Sequence, residues 1–216
     1  MSDELDKLGL MLSLQEGVNS IINPQWKEAG QAWHRAIWME CAEMLEREGD
    51  WKWWKAPPRF DSEAARAAHL EQQQIELCDI WHFLLSWALE ARLDQAALMP
   101  AQTATTPDRH VAIEAMVEAA ITRDLAALPP AFYAACAAFA LNFDRLFELY
   151  VGKNVVNRFR QDRGYKTGEY RKVFGGLEDN DHLAELMAEL GTAVPPLQLA
   201  DELYTRLAAR YDAHAG

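Results

Sequence analysis

Few features of secreted or membrane proteins occur in this 216-residue sequence. It contains three cysteines, an odd number, and no C-x-x-C motif, so we expect neither a disulfide framework nor a structural zinc site. The opening MSDELDKLGL lacks the basic patch and apolar run of a signal peptide. No uninterrupted apolar run approaches the roughly 20 residues that cross a bilayer. We therefore predict a soluble, cytoplasmic protein with no membrane partner.

Basic residues are also in short supply, since 21 Lys and Arg stand against 33 Asp and Glu, for a formal net charge of −12. A chain this acidic repels the nucleic-acid backbone unless its positive charge is gathered in one place, so we expect no nucleic-acid partner. A small anionic substrate is compatible with this charge, because a bound metal ion reverses the local sign of the field. The P-loop pattern G-x-x-x-x-G-K-[ST] is absent, which argues against a P-loop enzyme.

Glycine and proline are sparse, with 11 and 9 residues, and most of them fall at breaks between helical patterns. No alternating strand pattern of useful length occurs, so we predict an all-α fold, a multi-helix bundle around a carboxylate-lined site. The prediction is one domain over residues 1–216, with about 94–150 as a less specific helical insertion and 99–108 as a loop. The predicted helices cover about 4–22, 24–48, 61–93 with Asp61 or Ser62 as the cap, 109–128, 130–150, and two more after 177, divided at Pro195-Pro196.

Two pairs of acids carry the strongest chemical signal. Glu40 and Glu43 are three residues apart on the second predicted helix, and Glu76 and Asp79 are three apart on the third. This spacing places each pair on one helix face, inside segments rich in tryptophan and aliphatic residues. A buried carboxylate needs a metal, a base or a proton. Mg²⁺ prefers hard oxygen ligands, so we predict that these four acids hold it.

Two other interpretations of these pairs stay open at this point. Acids three residues apart are common on solvated helix faces. A carboxylate-bridged iron protein is a second alternative, but it needs Glu-x-x-His on two helices. Neither Glu40 nor Glu76 is followed by histidine at that spacing, and only His82 stands three residues after Asp79.

Residues 152–176 have the opposite charge to the rest of the chain, with seven basic residues and two acidic ones. Phosphate chemistry needs cations opposite the metal to neutralise developing charge. This basic stretch could supply them, or it could be a solvated loop that forms surface ion pairs.

Together, these segments resemble the dimeric, all-α dUTPase family, relatives of the MazG-like nucleotide pyrophosphatases. The resemblance leaves about 91–150 as unspecific helix, and Asp50 stands where the family often has proline. It rests on LSLQEGVNSIINPQW (12–26), AIWMECAEMLE (36–46), WKWWK (51–55), IELCDIWHFLLS (75–86) and KNVVNRFRQDRGYKTGEYRKVFGGLEDN (153–180).

The resemblance implies hydrolysis of dUTP to dUMP and pyrophosphate with Mg²⁺, by attack of an activated water on the β-phosphorus, in a homodimer. By matching position, Glu40, Glu43, Glu76 and Asp79 are the metal ligands. One glutamate of the first pair, with Glu43 favoured over Glu40, also orients or deprotonates the attacking water.

The resemblance also implies a set of substrate contacts. Gln15 and Asn19 would recognise uracil through their amides, and Arg160 and Arg163 could equally be structural. We predict Trp53 and Trp54 as core or pocket wall. The phosphate ligands would be Lys153, Arg158, Lys166 and Lys55, and the nucleoside contacts would be Gln15, Asn19, His82, Phe83, Asn157 and Tyr165.

Two alternative functions remain from the sequence. A related all-α pyrophosphatase that acts on dCTP or a broader nucleotide set would share the metal acids. A non-catalytic helical dimer with a binding role would show no metal-dependent release of pyrophosphate.

Overall fold

The computed structural model describes residues 2–99, 106–190 and 193–214. The predicted all-α fold is confirmed, because these residues form eight α-helices and one hairpin of two short antiparallel strands, β1 (Val173–Phe174) and β2 (Leu177–Glu178). The helices are α1 (Ser2–Ile22), α2 (Trp33–Glu48), α3 (Glu63–Ala91), α4 (Arg109–Thr122), α5 (Leu128–Ala138), α6 (Phe143–Asp162), α7 (Asp179–Leu190) and α8 (Leu199–Ala213). None of the described helices has the length and apolar composition that a membrane crossing requires.

The chain divides into two compact units. Unit 1 comprises Met1–Trp26 and Phe147–Gly216, and unit 2 comprises Lys27–Leu146. The single domain and the helical insertion at about 94–150 stay predictions.

Unit 2 is built around α3, whose middle turns are buried on most sides. α2 packs against α3 and α4, and α5 packs against α3 and α4. Trp81 of α3 is fully buried and stacks on Phe132 of α5 with ring centroids 4.8 Å apart. Ser62 caps α3 as predicted, since its Oγ accepts a hydrogen bond from the Ala65 N–H at 3.1 Å. The cap satisfies one of the backbone donors that every helix N-terminus leaves open.

Unit 1 contains α1, most of α6, α7, α8 and the hairpin. Its C-terminal part packs around aromatic rings, and Phe159 of α6 meets Tyr211 of α8 edge to face at 5.3 Å. Tyr170 stacks on Tyr211 at 5.7 Å with nearly parallel planes. The predicted division of the last two helices at Pro195-Pro196 is confirmed, because α7 ends before these prolines and α8 begins after them.

Two predicted helix boundaries are wrong. α2 begins at Trp33 rather than 24, because Trp26–Glu28 forms an isolated 3₁₀ turn and Gly30 has φ +62°. α4 ends at Thr122 rather than 128, because Arg123 adopts a left-handed conformation and closes the helix.

The predicted helix over 130–150 is in fact two helices. Ala140 has φ +53°, which ends α5, and the Asn142 side chain accepts from the Arg145 N–H at 2.8 Å at the start of α6. α6 then continues to Asp162, so the first part of the basic stretch is helical. The predicted loop at 99–108 lies in part outside the described residues, at 100–105.

Candidate active site

Three of the four predicted metal ligands converge in unit 2. Carboxylate oxygens of Glu40, Glu43 and Glu76 all lie within 4.8 Å of one another. The two α2 acids flank the buried face of that helix, and Glu76 comes from the facing helix α3. Their burial is graded, since Glu76 is buried, Glu40 is half-buried and Glu43 is exposed. The cluster therefore has one carboxylate in the protein interior, that of Glu76, and one that faces solvent, that of Glu43.

Asp79 lies one turn after Glu76 on α3 and is half-buried. The carboxylate group found among the described residues contains the other three acids and does not include Asp79. Its role as a fourth ligand stays a prediction.

Arg47 is a component of this site that the sequence analysis missed. Its Nε and Nη2 lie 2.8 and 2.7 Å from the same oxygen, Oε1 of Glu76. The guanidinium thereby supplies the positive charge that a buried carboxylate beside two other carboxylates requires. The signal in the sequence was weak but present, because Arg47 follows Glu43 by four residues and so lies one turn further along the same helix face.

The donor set fits Mg²⁺. All three ligands offer hard carboxylate oxygens, and Mg²⁺ binds such oxygens at about 2.0–2.1 Å. Two oxygens on one such ion are therefore at most about 4.2 Å apart. The observed limit of 4.8 Å is within a small side-chain rotation of that value. The three carboxylates are therefore compatible with one Mg²⁺, and their role as its ligands stays a prediction.

One turn away, a second group of polar side chains fixes the alignment of α2 on α3. Gln73 of α3 donates to Glu48 Oε1 at 2.6 Å and to the Met44 carbonyl at 3.2 Å. Glu48 also lies 3.3 Å from His69 Nε2 and 3.5 Å from Arg109 Nη1. Gln73 precedes Glu76 by one turn of α3. The contacts of Gln73 therefore fix the position of Glu76 along the axis of α2.

The cysteines beside the acids are buried, free thiols, as predicted for Cys41 and Cys78. Burial, with a smaller contribution from Glu40, raises the pKa of Cys41 to about 12. The buried thiol is therefore protonated at neutral pH, which makes it a poor nucleophile.

The remaining predicted residues of unit 2 differ in exposure. Lys55 is exposed, and its side chain has no hydrogen bond or ion pair with any described residue. Trp53 and Trp54 are 90% and 61% exposed, so they do not lie in the core, and their other predicted place, a pocket wall, stays a prediction. His82 is buried in α3, and Phe83 is half-buried with its ring centroid 6.5 Å from that of Trp33.

In unit 1, part of the basic stretch is structural. Arg160 donates to both oxygens of the fully buried Asp179 at 2.7 and 3.0 Å, and the Tyr170 hydroxyl donates to Asp179 at 2.8 Å. Burial alone would raise the pKa of Asp179, but these hydrogen bonds outweigh burial and hold that pKa below its usual value. Arg163 makes a matching pair with Asp212. Both arginines therefore have the structural role that the sequence analysis left open.

The predicted phosphate ligands of unit 1 make looser contacts. Arg158 is exposed, with its guanidinium 4.8 Å from the centre of the Tyr204 ring and its Nε 3.6 Å from Asp162. Lys166 is exposed and donates to the Ile22 carbonyl at 2.9 Å. Lys153 and Asn157 are half-buried on α6, and Tyr165 is exposed. Their substrate contacts stay predictions.

The structure brings Gln15 and Asn19 together inside unit 1. Both are buried in α1, and Gln15 Nε2 donates to Asn19 Oδ1 at 3.0 Å. The predicted pair of amides one turn apart is thus present as one hydrogen-bonded unit.

Residues 7–165 match the sequence model of a family described as dUTPase, which is all-α. A search of curated proteins finds no match. The matched segment covers most of the chain and includes every carboxylate of the cluster, so the chain belongs to this dUTPase family and hydrolyses dUTP.

Proposed function

We propose that this member of the dUTPase family hydrolyses dUTP to dUMP and pyrophosphate with Mg²⁺ held by Glu40, Glu43 and Glu76, and with Asp79 as the fourth ligand. The convergence of three carboxylates within 4.8 Å supports this proposal most directly. Like charges this close repel each other unless a cation lies among them. The family match supports a nucleotide as the substrate of that site.

When bound, Mg²⁺ would polarise phosphate oxygens and lower the pKa of a coordinated water. Glu43 is the exposed member of the cluster, so its carboxylate can reach a water and accept the proton that the attacking water loses. Glu40 is half-buried and would orient that water. The water oxygen would bond to the β-phosphorus as the bond from that phosphorus to the bridging oxygen breaks. dUMP would leave with the bridging oxygen, and pyrophosphate would keep the oxygen of the water.

The substrate contacts follow the residues named from the sequence. Lys55 is a solvated cation and Arg158 an exposed one, so either can bind a phosphate oxygen without first breaking a buried ion pair. Lys153 and Lys166 would complete the phosphate contacts. The nucleoside would contact Gln15, Asn19, His82, Phe83, Asn157 and Tyr165.

A homodimer, a MazG-like architecture and a cytoplasmic location are further parts of the proposal. Val111 and Ile121 expose large apolar side chains on the alanine-rich helix α4, which a second copy of the chain would cover in the proposed homodimer. Three free, buried cysteines are compatible with a reducing compartment.

The central experiment measures pyrophosphate release from dUTP, dCTP and dTTP, with Mg²⁺ and with EDTA. We expect dUTP to be preferred and the activity to be lost in EDTA. Glu43→Gln should lower kcat by about 10²-fold or more, because it removes the proton acceptor. The matched control is Glu46→Gln on the same helix, whose carboxylate is exposed and pairs with Lys52 outside the cluster.

Each part of this experiment has a result that would contradict the proposal. Equal rates on dUTP and dCTP would support the broader nucleotide pyrophosphatase instead. Activity that survives EDTA would remove the metal from the proposal. A Glu43→Gln enzyme as active as Glu46→Gln would move the proton acceptor elsewhere.

A further inference from the structure

Arg47 lies against the carboxylate cluster of unit 2, and the function proposed above gives it no role in the reaction. Its Nε donates to Oε1 of Glu76 at 2.8 Å, and its Nη2 lies 2.7 Å from the same oxygen. The Arg47 side chain is 41% exposed, whereas that of Glu76 is 7% exposed. Arg47 therefore extends from a buried member of the cluster toward solvent.

This contact uses only part of what the arginine can donate. A guanidinium is a planar fork of several N–H donors, and at most two of them are engaged by the one oxygen of Glu76. No other described residue forms a hydrogen bond or an ion pair with the Arg47 side chain. The remaining donors, on a half-exposed side chain, are therefore available to an anion that binds at the cluster.

The distances place the guanidinium beside any other ligand of the proposed ion. In octahedral geometry, oxygens that lie about 2.0–2.1 Å from Mg²⁺ are about 3–4 Å from one another. A phosphate oxygen on an ion held by Glu76 would therefore lie that close to the Glu76 carboxylate. Arg47 already lies within hydrogen-bond distance of that carboxylate, so its remaining donors can reach such a phosphate oxygen by a rotation of the side chain.

Metal binding would also release the arginine. The ion and the guanidinium are both cations, so they repel each other at this distance and share Glu76 as counter-charge. With Mg²⁺ among the carboxylates, the guanidinium loses part of the negative charge that holds it. A bound triphosphate then supplies a new anion at the same place. Arginine suits this exchange, because its planar fork binds phosphate oxygens in pairs.

We propose that Arg47 is a phosphate-binding residue of this dUTPase, which Mg²⁺ releases from Glu76 and which then binds a phosphate oxygen of the nucleotide. The inference rests on the proposed metal site at Glu40, Glu43 and Glu76. It adds a cation from α2 itself to the phosphate ligands named from the sequence. It also couples metal binding to substrate binding, since the guanidinium becomes available once the ion has taken its place.

The first test follows the reactivity of Arg47 in the wild-type protein. Phenylglyoxal modifies accessible guanidinium groups, and peptide mass spectrometry gives the rate at each arginine. We expect Arg47 to react slowly in EDTA, about threefold or more faster in Mg²⁺, and slowly again in Mg²⁺ with a non-hydrolysable dUTP analogue. Arg35, exposed on the same helix, is the internal control and should react at one rate throughout. An Arg47 rate that is equal in all three conditions would overturn the inference.

Arg47→Gln gives the second test, because its affinities for metal and nucleotide should change in opposite directions. Without nucleotide, calorimetry should show Mg²⁺ binding about threefold or more tighter, since no guanidinium competes with the ion. In saturating Mg²⁺ the dUTP analogue should bind about tenfold or more weaker, since a charge-assisted hydrogen bond is lost. Deoxyuridine, which has no phosphate, should bind equally to variant and wild type. The matched control, Arg35→Gln, should keep all three wild-type affinities.

The outcomes separate this inference from the function on which it rests. Wild-type activity that survives EDTA removes the metal, so the proposed function fails and the inference fails with it. If activity needs Mg²⁺ but Arg47→Gln binds the analogue as tightly as wild type, the metal site stands and only the inference is overturned. Weaker Mg²⁺ binding by Arg47→Gln would also overturn it, because the arginine would then support the cluster rather than compete with the ion. If Arg47→Gln does not fold, the phenylglyoxal rates of the wild type decide.

Discussion

At the scale of single residues, Arg47 determines how the carboxylate cluster behaves without metal. Its guanidinium holds Oε1 of Glu76, the carboxylate that the proposed Mg²⁺ would also use. Glu76 is only 6% exposed, so it cannot be left without a cation at low cost. Under the proposed function, the arginine and the metal would therefore be alternative partners of one buried charge.

Arg47→Gln should accordingly destabilise the protein in EDTA and be rescued by Mg²⁺. We expect a loss of about 1–2 kcal/mol in EDTA, below the range for fully buried pairs because Arg47 is partly exposed. Saturating Mg²⁺ should stabilise the variant more than the wild type, since the ion no longer competes with the guanidinium. Urea unfolding of both proteins in EDTA and in Mg²⁺ measures the difference.

The control is Arg35→Gln, which removes an exposed arginine from the same helix. Equal stabilisation of wild type and Arg47→Gln by Mg²⁺ would mean that the arginine and the metal do not share Glu76.

Candidate site residues could be identified from the sequence where side chains of the same chemical type recur one helical turn apart. Glu40, Glu43 and Glu76 were identified because carboxylates one turn apart in apolar helices are costly without a cation. The hydrogen bond from the Tyr150 hydroxyl to Gln15 Oε1 could not be predicted, because nothing in the sequence relates two residues 135 positions apart. The core position considered for Trp53 and Trp54 was wrong because aromatic composition alone does not tell a buried ring from an exposed one.

At the scale of elements, Gly49 ends the helix that carries two of the acids. It adopts φ +64°, and its N–H bonds to the Leu45 carbonyl, so it is the left-handed cap of α2. A methyl group there would lie 3.2 Å from Pro58 Cγ. Both the backbone conformation and this contact oppose any larger residue.

Gly49→Ala should therefore cost about 1–2 kcal/mol of stability. The matched control is Gly17→Ala in α1, where an added methyl group meets nothing within 4 Å. That change should stabilise the protein by roughly 0.5–1 kcal/mol, since alanine is the better helix former. Thermal and urea unfolding check the opposite signs. A neutral Gly49→Ala would show that the turn after α2 rearranges freely.

The ends of helices were predictable where glycine or proline ends the helix, and less so elsewhere. Gly49 and the pair Pro195-Pro196 placed their helix ends correctly. The break between α5 and α6 was missed because it is made by Ala140 in a left-handed conformation, which alanine rarely adopts. No residue type in that stretch signalled it except Asn142, which caps α6.

At the scale of the whole molecule, ion pairs within unit 1 neutralise several cations of the basic stretch at 152–176. The basic stretch carries seven cations, but Arg160 and Arg163 each hold an acid that follows in sequence. Lys172 likewise pairs with Glu178 at 2.7 Å. Charge counting could show that the stretch was basic, but not which cations fold the protein and which remain for a phosphate.

The pair of Arg160 with Asp179 should dominate the acid sensitivity of the fold. The pKa of Asp179 is held below its usual value in the folded state. Its stabilisation is therefore complete above its unfolded pKa, about 3.9, and is lost as pH falls from there through the lower folded value. At pH 7 we expect Asp179→Asn to cost about 3 kcal/mol, because Arg160 loses its buried partner.

Below about pH 3.9 the difference in unfolding free energy between wild type and Asp179→Asn should shrink, because the Asp179 carboxyl of the unfolded wild type then takes up a proton while the folded state still resists it. Urea unfolding from pH 7 to pH 3 measures it. Asp212→Asn is the control, since both oxygens of Asp212 also accept hydrogen bonds from one arginine, Arg163, but Asp212 is exposed, where solvent screens the pair and the loss should be much smaller. A difference for Asp179→Asn that stays constant across this range would show that shape or hydrogen bonding, rather than the ionised pair, stabilises unit 1 at this position.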